Sequence, residues 1–116
     1  MKQFITIFVV LTVMAVSVAN AQEICRITNY SPEECPNRFT ASGVEPSEER
    51  RCAAVSRDIE RRYKLKFGDR ITIPGLGVFT FLDRTARYLR KTIDIYENHK
   101  SHALQFGVKW KVVEFK

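Results

Sequence analysis

The stretch Thr92-Ile93-Asp94-Ile95-Tyr96 sets a carboxylate between two isoleucines. Its alternation is that of a β-strand, with Ile93 and Ile95 on one face and Thr92, Asp94 and Tyr96 on the other. Aspartate is a poor strand former and is costly to bury unpaired. It is therefore either on a solvated face or needed there for acid–base work. Two further aspartates follow apolar runs: Asp58 after Ala53-Ala54-Val55-Ser56-Arg57, and Asp83 after Val78-Phe79-Thr80-Phe81-Leu82. On local grounds Asp58 suits the start of a helical turn and Asp83 a turn after a strand. Other reactive groups carry less chemistry. His99 and His102 stand three apart near Glu97, without a third strong metal ligand, so no metal is expected. Cys25, Cys35 and Cys52 have no histidine close in sequence to activate a thiolate.

Six short apolar segments must position these groups. They are residues 23–30, 52–56, 70–74, 77–82, 92–96 and 108–115. Gly75-Leu76-Gly77 makes the tight connection of a hairpin, and no helix follows it, so this is not a phosphate loop. Residues 57–69 hold a helical turn ending at Gly68-Asp69. Ser31-Pro32-Glu33-Glu34 can form another turn, capped at Ser31. Residues 98–107 read as a short helix with Gly107 beyond its end. In the last segment the alternation shifts at Val112-Val113, which predicts a bulge. Trp110 and the phenylalanines are expected mainly in the core. Tyr30 and Tyr88 suit structural roles or stacking on a sugar ring. About six short strands with one or two helical turns predict an all-β fold, a small closed barrel.

The chain has 116 residues and a net charge of +6. Met1-Lys2, an apolar run to Val18, and small residues at Ala19 and Ala21 form the pattern of an export signal, with cleavage expected after Ala21. The apolar run, about 15 residues, is short for a membrane span of about 20. Residues 1–21 are thus read as a signal peptide and 22–116 as one domain, periplasmic or extracellular, with no stable membrane insertion after cleavage. A basic exported domain suits an anionic polymer such as a bacterial cell wall. No nucleic-acid-binding pattern is present. Export favours one disulfide among three cysteines, and Cys35–Cys52 is the expected pair because both flank one long loop.

Four blocks in order resemble the 3D, or three-aspartate, domain. Ile93-Asp94-Ile95-Tyr96 with His102, Ala103, Phe106 and Gly107 is similar to its IDLYF-x-SH-x-x-A-x-x-FG signature. Residues 39–43 (FTASG), 52–58 (CAAVSRD) and 65–83 (LKFGDRITIPGLGVFTFLD) resemble three more of its blocks. Such domains occur in membrane-bound lytic transglycosylase A and in stationary-phase survival proteins of bacteria. The resemblance implies a six-stranded double-psi β-barrel. It implies that Asp58, Asp83 and Asp94 form a catalytic cluster, Asp83 and Asp94 keeping the family's spacing of 11 residues. It implies cleavage of the β-1,4 bond between N-acetylmuramic acid and N-acetylglucosamine in peptidoglycan glycan strands. Asp94 is then the single general acid and base, and neighbouring carboxylates and an apolar wall are expected to keep it protonated. Thr40, Ser42, Thr85 and Arg87 are the expected substrate-binding residues. No cofactor is implied, and a monomer is expected. Many family members carry TGGAIKG after the second aspartate; here Arg84-Thr85-Ala86-Arg87-Tyr88-Leu89-Arg90-Lys91 is basic and free of glycine. Its cations would grip wall carboxylates. The alternative on the same barrel is a non-catalytic wall-binding or expansin-like module.

Overall fold

In the computed structural model, residues 21–31, 39–47, 49–97 and 107–115 are described. Among the described residues, six strands and one short helix follow one another: β1 (Ala21–Tyr30), β2 (Cys52–Val55), α1 (Arg57–Arg62), β3 (Arg70–Ile73), β4 (Gly77–Arg84), β5 (Thr92–Tyr96) and β6 (Lys109–Phe115). The strands close into a barrel in the order β1-β5-β2-β4-β3-β6. β1 with β5 and β2 with β4 pair in parallel, and the other neighbours are antiparallel. The expected all-β class and six-stranded closure are therefore found. The expected helix over 98–107 and the turn after Ser31 lie outside the described residues, apart from Gly107.

The period-2 pattern of each strand sorts its side chains. Ile27, Val55, Ile71, Ile73, Phe79, Phe81, Ile93, Ile95, Val113 and Phe115 point inward and form the main core with Cys25, Ile59 and Leu65. Each fully buried aliphatic or aromatic side chain contributes roughly 1.5–3 kcal/mol. β2 is buried on both faces. Ala53 and Val55 join the main core, while Cys52 and Ala54 join Tyr30 and Tyr96 in a second cluster outside the barrel wall. Leu82 packs against this cluster, and its carbonyl accepts the Ser42 N–H at 3.1 Å. This two-sided burial is why Cys-Ala-Ala-Val reads as a continuous apolar run.

Three expectations are corrected. β6 pairs with β1 in unbroken register from Ala21–Phe115 to Ile27–Lys109, so no bulge occurs at Val112-Val113. Val112 points to solvent and Val113 to the core, and an exposed apolar residue imitated a phase shift. The register shift lies elsewhere, between Ala53 and Ala54 where β2 meets β4. Trp110 is 61% exposed rather than core; Phe39 and Phe67 are exposed too, whereas Phe79, Phe81 and Phe115 are buried. Cys25 and Cys52 are both buried free thiols, so the expected Cys35–Cys52 bond is not formed. Cys35 itself lies outside the described residues. Cys25 points into the barrel and Cys52 into the outer cluster, so the barrel wall also keeps these two apart.

Burial pushes the Cys25 thiol up from 9.0 to about 12. An unfolded chain would release that proton near the ordinary value, so it holds fewer protons than the folded state above it. The native state is thus expected to lose stability as pH rises from about 9 toward 12. Denaturant melts across this window test it. Cys25→Ala should start less stable at neutral pH and lose less stability on the way up; an equal loss in both proteins would contradict the assignment.

Candidate functional site

The turn before β5 sets where that strand begins. Lys91 has a left-handed backbone, with φ 48. Its N–H donates to the Asp58 carboxylate, at 3.0 Å to Oδ2, and the next N–H, of Thr92, donates to Ser56 Oγ at 3.0 Å. Ser56 is the N-cap position of α1, and Asp58 lies in the helix's first turn. Burial pushes the Asp58 carboxyl up, but the Ser56 hydroxyl and the amides of Lys91 and Ile59 outweigh it and hold the group below its ordinary value. Asp58 is therefore spent on the chain: it clamps the start of β5 to the start of α1.

From that start, register places Asp94. It pairs with Thr28 on β1 and with Ala54 on β2, and Ala54 in turn pairs with Asp83 on β4. Thr28, Asp94, Ala54 and Asp83 thus stand abreast on four neighbouring strands, on the outer face of the wall. Residues opposite one another in a sheet share a face, and strands lie about 4.8 Å apart. The Thr28 hydroxyl donates to Asp94 Oδ1 at 2.9 Å. The residue between the two aspartates is Ala54, so no side chain longer than a methyl separates them. Ile93 and Ile95 point the other way, into the core. The carboxylate between two isoleucines is thus on the outer face, half-buried, with the isoleucines anchoring its strand.

Asp83 and Asp94 line one cleft of about 420 Å³, with Asn29, Tyr30, Ala54, Arg84, Thr85, Ala86 and Tyr88. Asp83 Oδ1 accepts the Ala41 and Arg84 N–H groups, each at 2.8 Å, and so ties the 40–44 turn to the end of β4. Arg84 is held from behind by a two-pronged pair with Glu60, at 2.7 and 2.8 Å. That pair holds the Glu60 carboxyl below its ordinary value. The Arg84 guanidinium also lies 4.7 Å from the centre of the Phe67 ring. Tyr88 is 82% exposed at the rim. Tyr30 is buried, packs edge-on against Tyr96 and donates its hydroxyl to Asp83 Oδ2 at 3.5 Å.

Of the expected cluster, then, Asp83 and Asp94 share a cleft, while Asp58 is not among its lining residues. The physical reason is the clamp just described. Thr85 lines the cleft and is itself buried, its carbonyl accepting Arg57 Nη1 at 2.8 Å. Thr40 and Ser42 lie in the turn tied to Asp83 but do not line the cleft; their hydroxyls bond each other at 2.7 Å. Arg87 is exposed and does not line it. Lys91 Nζ turns to Glu23 at 3.7 Å instead. The sequence reading missed Thr28. Nothing local marks it, because its link to Asp94 depends on a parallel pairing 66 residues away.

Among the described residues, no group of three His, Cys, Asp or Glu side chains is placed to hold a metal ion. His99 and His102 lie outside them. Comparison with protein-family models finds no match, and none is found among curated proteins.

The two structural carboxylates make separable predictions for amide hydrogen exchange. Asp58→Ala should speed exchange at Lys91, and Asp83→Ala at Ala41. Each should cost roughly 0.5–1.5 kcal/mol, the net worth of a hydrogen bond whose donor water can reach. Asp94→Ala should move none of these amides. Faster exchange at Ala41 in the Asp58 variant would mean that the two tethers are one network.

Proposed function

We propose that the chain is an exported peptidoglycan-active enzyme, a lytic transglycosylase, built on a three-aspartate double-psi barrel over residues 22–116 after removal of a signal peptide, 1–21. The observation that carries this reading is the row on the outer wall. Asp94 and Asp83 flank a single alanine and line one cleft, with an exposed tyrosine at its rim. The four motif blocks agree with it, and the mixed six-stranded closure is compatible with a double-psi barrel. Cleavage after Ala21 would remove only the first residue of β1.

The chemistry needs no water and no metal. Asp94, protonated, donates its proton to the glycosidic oxygen as the bond from the muramic acid anomeric carbon to that oxygen breaks. The muramic acid 6-hydroxyl oxygen forms a new bond to the same carbon. Its proton passes to the Asp94 carboxylate, which restores the acid. The products are a 1,6-anhydro end and a free 4-hydroxyl. One carboxyl group suffices, unlike hydrolysis, which normally uses two. Asp83 serves by holding the 40–44 turn beside the cleft and by adding a second carboxylate near the first. Thr28 orients Asp94. Tyr88 supplies a flat ring at the rim for a sugar face.

A second reading is supported by the use Asp83 makes of its Oδ1. The Ala41 and Arg84 donors to that oxygen are backbone amides, a structural tether that a non-catalytic wall-binding module would equally keep.

Mass spectrometry of digested sacculi separates the two. Wild type is expected to release anhydro-muropeptides. Asp94→Ala should release at least about 100-fold less, the scale of a lost general acid, while still sedimenting with sacculi. Undiminished release from Asp94→Ala would contradict the enzyme reading. Sedimentation without products from the wild type would favour the binding module.

A further inference from the structure

The outward row of β1 continues past the cleft. Thr28 bonds Asp94, and Tyr30 lines the cleft. Two residues back, Arg26 pairs with Trp110 on β6, and two further back Ile24 pairs with Val112. Ile24, Trp110 and Val112 are 55%, 61% and 41% exposed. Strand spacing and rise put Trp110 roughly 12 Å from Asp94 between Cα atoms, two strands over and two residues along.

We propose that this face is a second part of the glycan site: a peptidoglycan strand held at the cleft runs across the outer side of β1 and lays a sugar ring on Trp110. The inference rests on the glycan reading of the cleft. Three observations select this occupant. The patch is continuous with the cleft through Arg26 and Thr28, with no loop between them along the strand. It holds an exposed aromatic ring, Trp110, among exposed Ile24 and Val112, and a flat ring suits the flat C–H face of a sugar. The cation between patch and cleft is Arg26, on a chain of net charge +6, which complements the lactyl and peptide carboxylates of the wall polymer. Exposed apolar patches on a soluble domain commonly mark such contacts.

Trp110 is the only tryptophan of the chain, so its fluorescence reports on this face alone. The test uses Asp94→Ala, so that ligand survives. Amidase-released, peptide-free glycan strands are titrated against the disaccharide of N-acetylglucosamine and N-acetylmuramic acid. Long strands should shift the Trp110 emission, and the disaccharide, held at the cleft, should leave it unchanged. Arg26→Glu should weaken the long-strand response by about tenfold, with a matching loss in Trp110→Ala measured by sedimentation with sacculi. Long strands that sediment with the protein yet leave the emission unchanged would overturn the proposal and spare the cleft reading. An emission that follows protein concentration, or phosphatidylglycerol vesicles and not glycan, would overturn it in favour of self-association or a membrane surface. A wild type that shifts with long strands but releases no anhydro-muropeptide would sink the catalytic reading and leave this track standing.

Discussion

The register of β5 between β1 and β2 is the constraint on which the site depends. A one-residue slip would turn Asp94 into the core and an isoleucine into the cleft. Two features prevent it. Ile93 and Ile95 are buried in the main core, so a slip would expose both at once. The strand's start is also fixed, because the Lys91 and Thr92 amides are tied to Asp58 and Ser56 at the head of α1. Asp58 thereby influences Asp94 without entering the cleft. One helix of six residues is enough for this, since its role is to present acceptors rather than to build a core layer.

The second constraint is two-sided burial. A small barrel usually keeps its outer face wet, and here part of that face is covered. Cys52, Ala54, Tyr30 and Tyr96 pack outside the wall with Leu82, whose carbonyl accepts the Ser42 amide of the 39–44 turn. Small residues on β2 make this feasible, and Ala54 puts only a methyl group between the aspartates on either side. The cover is itself held by Asp83, through the Ala41 amide. Fold and cleft therefore share components: the group that adds charge beside Asp94 is also the group that holds down the turn.

Much of this architecture is legible in the sequence. Five strands follow from alternation and β2 from its continuous apolar run, with Gly75-Leu76-Gly77 and Gly68-Asp69 as breaks, and the observed ends lie within about two residues of those expected. What alternation misjudges is the outer face. Val112 and Trp110 are apolar and exposed, so a pattern that equates apolar with inward reads a bulge and a buried tryptophan. The free thiol of Cys52 could not be foreseen, because the cluster that buries it assembles from β1, β2 and β5. Of the carboxylates, the Asp83–Asp94 juxtaposition needs the parallel β2–β4 pairing, which no local signal specifies. Asp58 is the instructive case. Its position after Val55-Ser56-Arg57 suggests a helix start on local grounds, and that is where it acts, with Lys91 as a partner that only the fold supplies.

The proposed function requires that glycan bind where Asp83 and Asp94 flank Ala54. Amide chemical-shift mapping of the Asp94→Asn protein, with peptide-free glycan strands as ligand, tests it most directly. The largest shifts are expected at residues 83–86, at the amide of the substituted position 94 and at its neighbours on β1 and β2. Saturable binding whose shifts fall only on the β3–β4 hairpin, around Gly75 and Gly77, would contradict it.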